Sequence, residues 1–310
     1  MVELFKGIKV DWLGKRKLFF GISIVLLLIG MTSLVVKGRF RYGMDFKGGT
    51  LVRVRFNDVV DASALRPLLP NTNIQAIRTE QTGSGSEFQI ELEKLSETED
   101  ASAGHGKVQE ALNAAFPGKF EIRGSESVSA KVGGDLRRGA VMATLYALAG
   151  ILVYIAFRFE WIYGAAAVFA VFHDTLVTLG FFSLFNYEIN LTVIAALLTL
   201  VGYSVNDTIV VFDRVRENLK TRRRDDFETV LNDSINQTLS RTILTSGLTF
   251  LTVLALFLFG GDIINNFAFA MVIGIIVGTY SSVAVAAPLV LVYTNLRRPK
   301  VVQKVAANRR

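Results

Sequence analysis

Residues 18–36 read LFFGISIVLLLIGMTSLVV, a run of 19 residues without a charged side chain. A helix rises about 1.5 Å per residue, so about 20 apolar residues are needed to cross the hydrocarbon core of a bilayer. The run is longer than the roughly 7 to 15 apolar residues of a signal peptide, and no cleavage site made of small residues follows it. It therefore predicts an uncleaved membrane-spanning helix.

Five further apolar stretches indicate five more transmembrane helices. They are residues 139–157, 161–187, 189–212, 242–259 and 263–295. Of the 34 basic and 27 acidic residues, 15 and 14 respectively lie in residues 37–138, a segment with the composition of a soluble domain. The sequence therefore predicts a polytopic α-helical membrane protein with six transmembrane helices and one large domain between the first two.

The overall composition agrees with this interpretation. Mean hydropathy is +0.41, and 51% of the residues are hydrophobic. The absence of cysteine excludes a disulfide scaffold, a thiolate metal site and a cysteine nucleophile. There is no P-loop and no GxSxG motif, and the chain has only two histidines. We therefore expect neither an enzyme nor an ATPase, and no cofactor or metal ion.

Lys and Arg residues near the spans predict the orientation of the chain. If the N-terminus is cytoplasmic, the cytoplasmic segments hold 19 of the 34 Lys and Arg residues. These segments are 1–17, 158–160, 213–241 and 296–310. The short loops on the other side, 186–190 and 260–262, hold none. We expect both termini in the cytoplasm and the basic face at anionic lipids, which attract each basic residue by about 1 kcal/mol. The net charge of +7 then requires no nucleic acid.

The outside segment, residues 37–138, alternates between strand and helix patterns. Strands are predicted at Thr50–Phe56, Asn73–Thr79, Glu87–Glu93 and Lys119–Ser127, and helices at Ala62–Leu69 and His105–Phe116. A turn is expected at 82–86 and a loop at 96–106. The order strand-helix-strand-strand-helix-strand is that of a ferredoxin-like α+β domain.

Small residues recur four apart in the last span. They are Ala270, Gly274, Gly278, Ser282 and Ala286. Residues at this spacing share a helix face, and small side chains there let two helix backbones approach closely in lipid. The pattern predicts a helix-packing face, although a general excess of Gly and Ala in membrane helices would also produce it.

Asp174 and Asp207 are the two acids inside predicted spans. An ionised carboxylate at this depth is costly and by default marks a functional site. Asp174 has His173 beside it. A salt bridge or hydrogen-bond network with a purely structural role would also explain either acid.

Polar residues accompany Asp207. Asn206 adjoins it, and Ser204 and Thr208 lie near it at helical spacing. Arg241 precedes the next span, which continues with threonines on the same face. Arg241 is therefore a candidate partner for Asp207, with a simple interfacial anchor as the alternative.

Two longer motifs resemble one family. Residues 42–50 read YGMDFKGGT, and residues 202–214 read GYSVNDTIVVFDR. They are similar to the signature segments of SecF, the smaller membrane subunit of the bacterial SecDF protein-export complex, within the RND-type transporter superfamily. The resemblance covers nearly the whole chain and implies a place in the bacterial cytoplasmic (inner) membrane. It implies SecD, the SecYEG translocon with the SecA ATPase, and YajC as partners, with an unfolded preprotein as client.

The same resemblance implies roles for individual residues. In RND-type relatives a carboxylate on the fourth helix takes up and releases protons, and Asp207 occupies that place. Arg241, with Ser204, Asn206 and Thr208, would then tune proton coupling, and Asp174 would be secondary. The hypothesis is that the proton-motive force promotes late steps of preprotein translocation.

Other interpretations of the motifs remain open. Asp45, Gly48 and Gly49 belong to a hinge or to a plain turn, since glycine tolerates positive φ. We prefer the proton to Na⁺ as coupling ion. A half-size RND-type exporter of small molecules or lipids, and a passive scaffold for the translocation channel, are the alternative functions.

Overall fold

The computed structural model describes residues 9–70, 72–79, 85–93, 103–158 and 160–297. Most of the predicted turn at 82–86 and of the predicted loop at 96–106 lies outside the described residues, as do residues 1–8 and 298–310 of the predicted cytoplasmic termini. In chain order the elements are α1 (Arg16–Lys37), β1 (Arg41–Tyr42), α2 (Met44–Lys47), β2 (Gly49–Phe56), α3 (Ala62–Leu65), β3 (Thr72–Thr79), β4 (Ser86–Glu93), α4 (Ala103–Ala115), β5 (Phe120–Val128), α5 (Ala130–Arg158), α6 (Trp161–Phe185), β6 (Glu188–Ile189), α7 (Leu191–Thr221), α8 (Phe227–Phe259), α9 (Asp262–Ser281), a π-helical segment (Ser282–Ala286) and α10 (Ala287–Arg297).

Six helices in the described part of the chain are long and apolar enough to cross a membrane. They are α1, α5, α6, α7, α8 and the continuous helix made of α9, the π-helical segment and α10. The chain is thus a polytopic helical membrane protein. Helix α6 ends two residues earlier than predicted, because Asn186 adopts a left-handed conformation with φ of 65°. Asn tolerates this conformation better than most residues, and it ends the helix.

The segment 213–241, predicted as a loop, is mostly helical. Helices α7 and α8 are separated by only five residues. Arg222 in this turn forms ion pairs with Asp225 (2.6 Å) and Asp233 (2.7 Å), and the buried Asn218 donates to Ser234 Oγ (2.9 Å). Hydropathy marks where a helix leaves the apolar layer, but these polar contacts let both helices continue beyond it.

Helix α7 is central to the bundle, since it packs against α6, α8 and α9. Apolar residues are buried along its length, among them Val193, Ala196, Leu200, Val211 and Phe212. Helix α1 packs against α6 through two glycines that the sequence analysis did not single out. A Cβ atom on Gly30 would lie 2.7 Å from the Cα atom of Gly180, so this crossing requires glycine.

Within its described residues, the domain of residues 37–138 contains a four-stranded antiparallel sheet with the strand order β3-β4-β2-β5. The predicted order strand-helix-strand-strand-helix-strand is observed, although the first helix, α3, is only four residues long. Alternate residues of β2, namely Val52, Val54 and Phe56, are buried in a core with Leu112 of α4. Strand β1 pairs in parallel with β6 and so joins the start of this domain to the loop before α7.

Candidate functional site

Asp207 lies on the part of α7 that faces α8, and it is buried, with 6% of its surface exposed. Its Oδ1 atom accepts a hydrogen bond of 2.9 Å from Thr242 Oγ1 on α8. Its Oδ2 atom is also buried and has no hydrogen-bond partner among the described residues. One half of this carboxyl group is therefore held in place, and the other half is open to a proton or to a group that the chain does not supply.

Arg241 directly precedes Thr242 on α8, but its side chain is exposed. No hydrogen bond or ion pair joins Arg241 to Asp207 within the part of the chain that the structure describes. Asn206 is exposed as well. Arg241 and Asn206 thus lie beside the buried acid rather than in direct contact with it.

Ser204 and Thr208, the other predicted neighbours of Asp207, have different partners. Ser204 donates to Asp174 Oδ2 (2.6 Å), and Thr208 donates to Ser282 Oγ (3.1 Å). Both side chains are buried, Ser204 against α6 and Thr208 against the π-helical segment that follows α9. Neither side chain therefore hydrogen-bonds Asp207: Ser204 belongs with Asp174, and Thr208 pairs with Ser282.

Asp174 is 1% exposed and lies where three helices meet. Its Oδ2 atom accepts hydrogen bonds from Ser204 Oγ of α7 (2.6 Å) and from Ser281 Oγ at the end of α9 (2.7 Å). Its Oδ1 atom lies 3.0 Å from Nδ1 of His173, the preceding residue on α6. This carboxyl group is thus fully hydrogen-bonded, in contrast to that of Asp207.

The predicted helix-packing residues lie between α9 and α7. A Cβ atom on Gly274 would lie 2.4 Å from Leu200 Cδ2, and one on Gly278 would lie 3.2 Å from Ser204 Cβ and 3.6 Å from Asp174 Oδ2. Ser282 begins the π-helical segment. The small side chains on this face leave room for the hydroxyl groups that surround Asp174.

The motif with Asp45, Gly48 and Gly49 connects the domain of residues 37–138 to α7. Asp45 Oδ2 accepts a hydrogen bond from the backbone N–H of Leu191, the first residue of α7 (2.9 Å). Gly48 has φ of 77° and Gly49 has φ of 153°, and a Cβ atom on Gly49 would lie 2.4 Å from Leu92 O. These glycines turn the chain from α2 into β2 where no larger residue fits.

Thr242 and Ser281 are polar contacts that sequence reasoning missed. The threonines chosen on α8 instead donate to carbonyl groups of their own helix: Thr245 to Arg241 O, Thr249 to Thr245 O and Thr252 to Leu248 O. Spacing within one helix could show which residues share a face. It could not show which face meets an acid on another helix.

Residues 107–296, which contain both buried acids, match the family described as "Protein export membrane protein SecD/SecF, C-terminal". Residues 32–58, which contain Asp45, Gly48 and Gly49, match the SecD/SecF GG motif. The six spans, the buried acids and these matches define a protein-export membrane protein of the SecD/SecF class.

Curated relatives are similar over nearly the full length. The protein translocase subunit SecF of Calditerrivibrio nitroreducens is 45% identical over 309 residues, covering 96% of this chain and 98% of the relative. That of Koribacter versatilis is 38% identical and covers 96% of this chain and 94% of the relative. The chain belongs to the SecF family of protein translocase subunits.

Solved structures show the same fold. The crystal structure of SecDF from Thermus thermophilus, described as a translocon-associated membrane protein, matches with a TM-score of 0.80 and 38% identity over 93% of this chain. SecDF in a super-membrane-facing form matches with a TM-score of 0.71 and 38% identity over 96% of this chain. This chain spans 39% of the length of the first of these and 40% of the second.

Proposed function

We propose that this chain acts with a SecD partner to convert the proton-motive force into movement that promotes late steps of preprotein translocation. The preprotein would cross through SecYEG after SecA has pushed it, with YajC as a further partner. The chain would lie in the bacterial inner membrane with both termini cytoplasmic. Residues 37–138 would then form a ferredoxin-like domain outside the cytoplasm, which the strand order β3-β4-β2-β5 supports.

The observation that carries this proposal is the unpartnered Oδ2 atom of Asp207. A buried polar atom without a hydrogen bond is costly, and a carboxylate with a purely structural role would have both oxygens paired, as Asp174 has. A proton that binds to Oδ2 would neutralise the charge at this depth. Asp207 is therefore the group that we assign to proton uptake and release.

Asp207 is connected to the neighbouring helix through Thr242, next to Arg241. A movement of α8 relative to α7 would change the distance between Asp207 and Arg241, and hence the affinity of Asp207 for a proton. By reciprocity, proton binding would bias that movement.

The energy released when one proton crosses the membrane is sufficient to drive this movement. One charge that crosses about 150 mV releases about 3.5 kcal/mol, which shifts a two-state equilibrium about 300-fold. One proton per cycle therefore drives such a movement without ATP on this chain.

The experiment compares Asp207→Asn with Asp213→Asn, both in full-length chain reconstituted with SecD, SecYEG and SecA in liposomes. Asp213 is an exposed acid on the same helix and pairs with Arg158 at 3.4 Å, so it controls for loss of a negative charge. Proton flux is measured with an internal pH dye, and preprotein export is measured with and without an imposed potential. We expect the proton flux of Asp207→Asn to be at least tenfold lower than that of the wild type, and its export to lose the part that depends on the potential. Asp213→Asn should retain both.

Wild-type flux and wild-type potential-dependent export in Asp207→Asn would refute the proposal. The coupling ion is tested in the same liposomes by replacing Na⁺ with choline. Proton coupling predicts unchanged export, whereas a loss of export would assign Na⁺ to the site.

A further inference from the structure

A second buried ionisable pair lies in the bundle apart from Asp207. His173 and Asp174 are neighbours on α6 and are 3% and 1% exposed. The two hydroxyl groups that reach Asp174, from Ser204 and Ser281, come from two other helices. Such a buried, hydrogen-bonded pair holds its geometry, because three helices fix it.

The hydrogen-bond inventory indicates where a proton can be added. The two serine hydroxyl groups donate to Asp174 Oδ2, and His173 Nδ1 faces Oδ1, so the pattern fits a charged carboxylate and a neutral imidazole with its hydrogen on Nδ1. The other ring nitrogen, His173 Nε2, is buried and has no hydrogen-bond partner in the described residues. In this tautomer Nε2 carries a free lone pair, and it is the one position of the pair that is still open.

The groups that face the pair from the packed helices are mostly hydroxyls. Ser204 comes from α7, and Ser281 comes from α9 with Tyr280 beside it. On α1, Ser33 hydrogen-bonds Ser183 of α6, a residue 150 positions further along the chain. The same separation of 150 positions joins Ser23 and His173, so Ser23 lies level with His173. Ser23 in turn hydrogen-bonds Tyr280 (3.2 Å).

The next acid along α7 is Asp207, three residues beyond Ser204. Three residues of helix rise about 4.5 Å, and this distance separates the level of Ser204, where the pair lies, from that of Asp207. In the proposed orientation the pair lies on the outer side of Asp207.

We propose that His173 and Asp174 form a second proton-binding site, with His173 Nε2 as the proton acceptor and Asp174 as its fixed counter-charge. A hydronium ion transfers its proton to the Nε2 lone pair: one O–H bond breaks, one N–H bond forms, water is released, and the imidazolium is balanced by the carboxylate beside it. Proton binding at His173 does not depend on the proposed export function. A role for this site in the transport cycle does rest on that function, and in that cycle His173 would receive a proton from the outside before Asp207 does.

The direct test uses nitrogen NMR of the two histidines in the full-length chain, held with SecD in lipid nanodiscs. The chain contains only two histidines, and His105→Gln leaves His173 as the single signal. Histidine titrates between about pH 5 and 8, so spectra are recorded across that range. We expect Nε2 to change from unprotonated to protonated while Nδ1 keeps its hydrogen, and we expect Asp174→Asn to abolish the change.

Thr175→Val is the matched control, because Thr175 follows Asp174 on the same helix but its hydroxyl group donates to Val171 O. It should leave the titration unchanged. A His173 Nε2 atom that stays unprotonated from pH 5 to 8 would overturn the proposal, as would one that stays protonated throughout.

A measurement of proton flux distinguishes the role of this site from that of Asp207. The pH profile of proton flux should change shape in His173→Gln, whereas a merely structural residue would scale flux equally at every pH. The His173 titration should persist in Asp207→Asn. If Asp207→Asn retains both the His173 titration and wild-type export, the export mechanism is refuted and the second site stands. If His173→Gln leaves the pH profile of proton flux unchanged, the site has no part in the transport cycle.

Discussion

The hydrogen bond between Asp45 and the first amide of α7 can be broken without touching the apolar bundle. Asp45 Oδ2 lies 2.9 Å from Leu191 N, and a second cap, in which Val193 N–H donates to Asn190 Oδ1 (3.0 Å), stays in place. Replacing a helix-capping acceptor with Ala costs about 1 kcal/mol, and the charge at a helix N-terminus contributes about 0.3 to 1 kcal/mol more. The bond is exposed, so for Asp45→Ala we count the loss of the cap alone, about 1 kcal/mol of local helix stability.

Hydrogen exchange in nanodiscs measures this loss at the affected amide. About 1 kcal/mol corresponds to about fivefold faster local opening, so the amide of Leu191 should exchange about five times faster in Asp45→Ala. Asp45→Asn keeps an acceptor oxygen and should show a smaller increase. Asp58→Ala removes an exposed acid that pairs with Lys119 at 3.4 Å, and it should leave α7 unchanged. Equal exchange at Leu191 in Asp45→Ala and wild type would show that the bond does not hold the start of α7.

Two further predictions test the helix crossing and the loop before α7. Gly30→Val places side-chain atoms where Gly180 lies 2.7 Å from a Cβ atom, so we expect a loss of about 1 to 3 kcal/mol in unfolding free energy, measured by denaturation in detergent. Gly21→Val, with nothing within 4 Å of its Cβ position, is the control and should be near neutral. Burial raises the pKa of Glu188 above its ordinary value despite its pairing with Arg41. The folded state therefore binds this proton more tightly than the unfolded state, and the Glu188 contribution to stability is present at low pH and is lost as pH rises through the raised pKa. Glu188→Gln should remove that part of the pH dependence in a thermal-unfolding series from pH 4 to 7, and an unchanged series would contradict the reasoning.

Most of the fold was predictable because its signals are local. Nineteen uncharged residues in a row, or alternating residues in β2, indicate their structure without reference to the rest of the chain. The segment 213–241 was not predictable in this way, because hydropathy does not distinguish a polar helix from a polar loop. The contacts that hold the two helices together there join residues that are apart in the chain: Arg222 in the turn pairs with Asp233 of α8, and Asn218 of α7 donates to Ser234 of α8.

The two buried acids of the candidate site could be predicted from the sequence, but the residues that hydrogen-bond them could not. Asp174 and Asp207 stand out because charges are costly in an apolar stretch. Ser204 is one turn from Asp207 on the same helix, yet it faces α6 and donates to Asp174. Which acid a hydroxyl group meets depends on how three helices pack, and that information is spread over residues far apart in the chain.

The attachment of the domain of residues 37–138 to the membrane helices has a mechanical consequence. Within residues 41–49, β1 pairs with β6, Asp45 contacts the first amide of α7, and Gly133 of α5 lies against the backbone of α2. A torque on the domain would therefore be transmitted to the N-terminal end of α7. Asp207 lies 16 residues further along this helix, or about 24 Å, so α7 would act as a lever arm. A tilt of about 5° at its start would displace the Asp207 carboxyl group by about 2 Å, comparable to the difference between a hydrogen bond and a broken one.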